Sequence, residues 1–78
     1  MSDIKLADVM IHIDADINDK IRNQVEVSLR GLEDVVSVSM PEDKRHLVIV
    51  EYNPDKTNSG VLLAAVREMA GHAELIGL

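Results

Sequence analysis

The sequence predicts an α+β sandwich, with two helices on one face of a four-stranded antiparallel sheet. Three observations predict it. Short runs with the two-residue alternation of strands recur along the chain. Two longer stretches carry apolar residues every three to four positions, the helical period. The order of these runs is β-α-β-β-α-β, which divides into two βαβ halves.

The elements follow in turn. "LADVMIHI" (residues 6–13) alternates, with Val9, Ile11 and Ile13 on one side and Met10 and His12 on the other. In the next stretch Ile17, Ile21, Val25, Leu29 and Leu32 mark one helical face. Asp16 or Asn18 supplies an N-cap, Asp19 suits the positive first turn, and Gly31 marks the end. "VVSVSM" (residues 35–40) alternates again, with Val36, Val38 and Met40 inward. "PEDKRH" is a polar turn, and "LVIVEY" (residues 47–52) is apolar on both faces until Glu51, as a central strand is. Pro54 breaks it. Asn58 or Ser59 caps the second helix, Gly71 ends it, and "HAELIGL" is a short last strand. This is the ferredoxin-like arrangement, in one domain spanning residues 1–78.

Composition narrows the function. Apolar residues make up 46% of the chain, almost all aliphatic, with Tyr52 the one aromatic residue. There is no cysteine, which excludes disulfides, thiolate metal sites and thiol catalysis. A net charge of −6 argues against nucleic acid and against anionic membrane surfaces, and favours a basic protein partner or a cation. The N-terminal stretch has no apolar run of signal-peptide or membrane-span length, so a cytoplasmic protein without membrane insertion is expected.

With both helices on one face, the other is open. Alternation places Met10, His12, Leu47 and Ile49 on it, with Ile76 at its edge, as a candidate interaction face for a protein partner or a second copy of the chain.

The ending "VEYNPDKTNSGVLLAAVREMAGHAELIGL" resembles the heavy-metal-associated domain of small copper chaperones and metal-transporting P-type ATPases. That family ends a strand in V-x-Y-D-P, matched by Val50, Tyr52 and Pro54 with Asn53 in the Asp place. Its second helix reads L-x-x-A-I-x-x-x-G, matched by Leu62, Ala65 and Val66, with Gly71 one position beyond the family's glycine. "VEVSL" and "DVVSVSM" take the places of I-E-x-x-L and G-V-x-x-V-x-V without a gap. Counting back sets the metal loop on residues 15–21. Asn18 and Ile21 then stand at the two positions of the family's C-x-x-C motif, and Asp16 stands at its usual Met. Copper(I) is held there by thiolates, which an amide and an aliphatic side chain do not replace. The resemblance therefore implies the fold, but not Cu(I) binding or other soft-metal chaperoning.

The loop itself, "DADIND", is acidic. Asp14, Asp16 and Asn18 match positions 1, 3 and 5 of a Ca²⁺ loop, but Asp19 stands at the glycine position and Val25 at the bidentate Glu position. A looser site is a stronger candidate. The resemblance implies that His72, in the place of a family aromatic, lies beside the loop, so that Asp16, Asn18, Asp19 and His72 converge. Such ligands suit Zn²⁺, Ni²⁺, Mn²⁺ or another borderline to hard cation such as Ca²⁺, but not Cu⁺, with His12 and Asp14 in reserve. The alternative is a capped turn with no ion, in which Ile17 and Ile21 seal the core. His12 is expected on the sheet face, and His46 solvated at a distant turn.

No nucleophile–base pair or phosphate-binding glycine loop is readable, so a non-enzymatic protein without a resident cofactor is expected. Three readings remain open: a protein-interaction module, a divalent-cation binder, and a small-ligand regulatory domain of the ACT type, which shares the element order. The spacing of "EYNPD" and "AVREMAGH" stands against the last.

Overall fold

The computed structural model describes residues 5–76. Its elements are β1 (Ala7–Ile13), α1 (Asp19–Arg30), β2 (Val35–Ser39), β3 (Leu47–Tyr52), α2 (Ser59–Ala70) and β4 (Ala73–Ile76). The sheet order is β2-β3-β1-β4, antiparallel throughout. This is the predicted ferredoxin-like sandwich. The Gly77–Leu78 end of the predicted last strand lies outside the described residues.

Each element forms for a local reason. Asn18 N-caps α1, accepting from the Ile21 N–H at 2.9 Å, and Asn58 caps α2 in the same way at 3.0 Å. Gly71 ends α2 at φ 84°, a conformation that favours glycine. Gly31 ends α1 while remaining right-handed. The core is one layer. Ile11, Ile13, Val48 and Val50 of the sheet meet Val25, Leu29, Leu62 and Val66 of the helices, all fully buried. Val9 and Tyr52 extend it.

Three expectations change. Val36 is 56% exposed rather than inward, because a register shift between Val35 and Ser37 inserts one unpaired residue into β2 and moves the inward phase onto Val35 and Val38. Ile17 and Leu32 fall outside α1, before its cap and after Gly31. The stripe that α1 buries is Arg22, Val25 and Leu29, with Ile21 partly buried beside it.

Register sets the open face. Directly opposed pairs on it are Asp8–Glu51, Met10–Ile49 and His12–Leu47 between β1 and β3, and Met10–Ile76 and His12–Glu74 between β1 and β4. The Ile76–Met10–Ile49 row therefore runs across three strands, flanked by the Asp8–Glu51 pair on one side and by His12 on the other. Leu47 lies on this face but is only 8% exposed, so it does not belong to an accessible patch. It follows the Pro41–His46 turn, whose Lys44 carbonyl accepts its N–H at 2.9 Å, and it opposes His12, on whose ring His46 stacks.

Candidate functional site: the loop end and the open sheet face

The end of β1, the start of β3 and the turn before β4 meet at one edge of the domain. The Ile13 N–H donates to the His46 carbonyl at 2.8 Å, and the Asp14 N–H donates to the His72 carbonyl at 2.7 Å. His46 is therefore not at a distant turn, as the sequence led us to expect. The antiparallel β1–β3 pairing brings it against the end of β1. Its Nδ1 lies 3.0 Å from the Ile13 carbonyl, and its ring stacks on His12.

The four residues expected to share a cation are placed as follows. Asn18 spends its side-chain oxygen on the α1 cap. Asp19 pairs with Arg45 of the β2–β3 turn, and that guanidinium holds its carboxyl below the ordinary value of 3.8, first by hydrogen bonding and then by charge. The same pairing raises Arg45. Asp16 is exposed in the loop, and His72 is exposed with its carbonyl engaged by Asp14. Asp16, Asp19 and His72 are not gathered at ligand distance. Among the described residues, the group that is gathered consists of His12, Asp14 and Glu74, whose ligand atoms all lie within 4.8 Å of one another. His12 Nδ1 is 2.7 Å from Asp14 Oδ1. Sequence reasoning held His12 and Asp14 in reserve and missed Glu74. The signal for it is the antiparallel return of β4 onto β1.

Beside α1, Asp19, Arg22, Asn23, Glu42 and Arg45 line a cleft of about 270 Å³. Arg22 is 8% exposed and ties α1 to the β2–β3 turn. Its Nη1 donates to Glu42 at 3.3 Å and its Nη2 to the Met40 carbonyl at 3.1 Å, while its buried Nε has no partner. The apolar spacing that announced α1 gave no sign of this buried arginine.

No protein-family model matches the sequence, and no curated protein does either. Among solved structures, the chain is similar to the N-terminal domain of a potential copper-translocating P-type ATPase from Bacillus subtilis, solved in solution in its Cu(I)-loaded state. The TM-score is 0.78, with 22% identity over 91% of this chain and 88% of that one. The two share a fold. This chain has no cysteine, so it holds no thiolate ligand. No helix among the described residues is long and apolar enough to cross a membrane.

Proposed function

We propose that the chain is a non-enzymatic binding module that keeps the heavy-metal-associated type of fold without its thiolate site, and that it docks a protein partner on the open sheet face. The observation that carries this reading is the Ile76–Met10–Ile49 row. Ile76 is 37% exposed, Met10 and Ile49 are half-buried, and no described element covers the row. Charge defines the partner. Asp8 and Glu51 flank the row on one side, Asp14 and Glu74 on the other, and no lysine or arginine of the sheet strands shares the face. The complement is an apolar centre with basic groups at both ends. A second copy of the chain suits it poorly, since face-to-face packing sets acid against acid in either orientation.

A photo-crosslinking residue placed at Met10, and separately at Glu26 on α1, tests this in cells. The reading expects one discrete adduct from Met10 alone, lost when Asp8 and Glu51 are changed to lysine. Equal adducts from both positions, or adducts indifferent to the charge change, overturn it. An adduct at twice the chain mass replaces it with self-association.

Cation binding is the second reading, and the His12–Asp14–Glu74 group favours it.

A further inference from the structure

We propose that His12, Asp14 and Glu74 form a site for a divalent transition-metal ion of borderline hardness, on the open sheet face and outside the β1–α1 loop. The proposal deepens the second reading. It uses none of the apolar row, and its test needs no protein partner.

Backbone geometry builds the site. Antiparallel pairing sets Glu74 directly opposite His12, and the two-residue strand period returns Asp14 to the same side as His12. Three residues from two strands thus converge with ligand atoms no more than 4.8 Å apart. Ligands around an ion at about 2.0–2.2 Å stand roughly 3–4.4 Å from one another. The group spans about the separations that an ion's ligands need, and the His12–Asp14 hydrogen bond of 2.7 Å would open to admit the ion. The backbone is also held in place. Asp14 donates its N–H to His72, and Ile13 donates to His46, so the site stands on paired strands rather than on the loop.

The charges are unbalanced in a way an ion would correct. Among the described residues, no lysine or arginine makes an ion pair with Asp14 or Glu74. The arginine ion pairs go to Glu42, Asp19 and Glu26. The one neighbour of Asp14 in such a pair is His12, itself a ligand when neutral.

His46 stands beside this group and is not part of it: its Nδ1 donates to the Ile13 carbonyl, and its ring stacks on that of His12. Its ring centroid is 5.9 Å from that of His12. Two carboxylates with one imidazole suit Zn²⁺, Ni²⁺ or Mn²⁺. Cu⁺ prefers sulfur, and Ca²⁺ wants six or more oxygens.

The test titrates the full chain with ZnCl₂, using calorimetry and amide NMR, with CaCl₂ as control. The expected result is one saturable Zn²⁺ event with shifts confined to residues 12–14, 46 and 72–74. Asp14→Asn and Glu74→Gln should each weaken it about tenfold or more. Asp16→Asn should leave it within about twofold, a change too small to count as ligand loss. Both Asp14→Asn and Glu74→Gln remove charge from exposed side chains, and a matching far-UV spectrum checks that they fold. Absence of saturation up to about 1 mM Zn²⁺ overturns the proposal. So does binding that survives Glu74→Gln, and so does binding abolished by Asp16→Asn or Asp19→Asn, which would return the ion to the β1–α1 loop.

Discussion

The imidazole of His46 stacks on that of His12 with centroids 5.9 Å apart and planes at 29°, and its Nδ1 reaches the Ile13 carbonyl at 3.0 Å. Thirty-four positions separate the two histidines, and the β1–β3 register brings them together. The contact holds the Pro41–His46 turn against the end of β1, and Leu47, which follows that turn and opposes His12, is 8% exposed.

His46→Ala should therefore cost about 1–2 kcal/mol, one side-chain hydrogen bond together with the partial exposure of Leu47. Urea unfolding measures it. A loss within error of zero would mean that the turn holds its place without the ring.

Asn18→Ala tests what the acidic loop is for. The side chain accepts from the Ile21 N–H at 2.9 Å, so its removal should cost about 0.5–2 kcal/mol, and Asn18→Asp or Asn18→Ser should recover most of it. Recovery in thermal melts by both replacements identifies a cap. Recovery by neither assigns Asn18 another task.

Much of the fold was legible before the structure, and the reason is periodicity. β1, β3 and α2 bury residues at the spacing their apolar pattern prescribes, α1 does so at Val25 and Leu29, and Asn18, Asn58 and Gly71 mark helix ends in residue types that favour those backbone states. The bulge in β2 was not legible. Val35, Val36 and Val38 are all valines, so an extra residue changes the phase without changing the composition. The burial of Leu47, the place of His46 and the convergence of Glu74 on His12 depend on register between strands far apart in sequence. Local spacing carries no information about that register. The loop residues show the opposite failure. Asp16, Asn18 and Asp19 are close in sequence, yet a cap and an ion pair occupy two of them.

Asp8 and Glu51 are opposed across β1 and β3 on the open face, and like charges in that position repel. Glu51→Lys replaces the repulsion with attraction. It should stabilise the free domain by up to about 1 kcal/mol, while abolishing the Met10 crosslink proposed above. A gain in melting temperature together with lost docking would show that the acidic pair is kept for its partner at the expense of stability. Lower stability in the variant would show that Glu51 makes a favourable contact in the folded state.

The Asp19–Arg45 pair gives a pH signature whose sign is fixed. Arg45 holds the folded-state carboxyl below its ordinary 3.8. A carboxyl depressed on folding contributes stability that is present above that ordinary value and is lost as pH falls through the lower folded value. The stability difference between the wild type and Asp19→Asn should therefore be constant near neutrality and shrink below about pH 4. Both groups are solvent-exposed, so added salt should shrink it too. Urea titrations at several pH values decide the matter. A difference that grows on acidification would show that the pairing does not depress the carboxyl.

Arg22 is the sharpest case of a buried charge serving structure. Its stem lies in the stripe with Val25 and Leu29, its Nη2 donates to the Met40 carbonyl, and its Nη1 reaches Glu42, whose side chain is 83% exposed. Packing and the carbonyl bond should therefore outweigh the ion pair. Arg22→Ala removes the stem and leaves the carbonyl unpaired, a loss of about 2–4 kcal/mol. Arg22→Met keeps the stem and removes the charge, and its unpartnered Nε, from the interior. It should recover at least about half of that loss, as apolar replacements of buried ionic groups often do. Glu42→Gln should change stability by less than about 0.5 kcal/mol. Equal losses in the two Arg22 variants, with a matching loss in Glu42→Gln, would assign the anchor to charge rather than to packing.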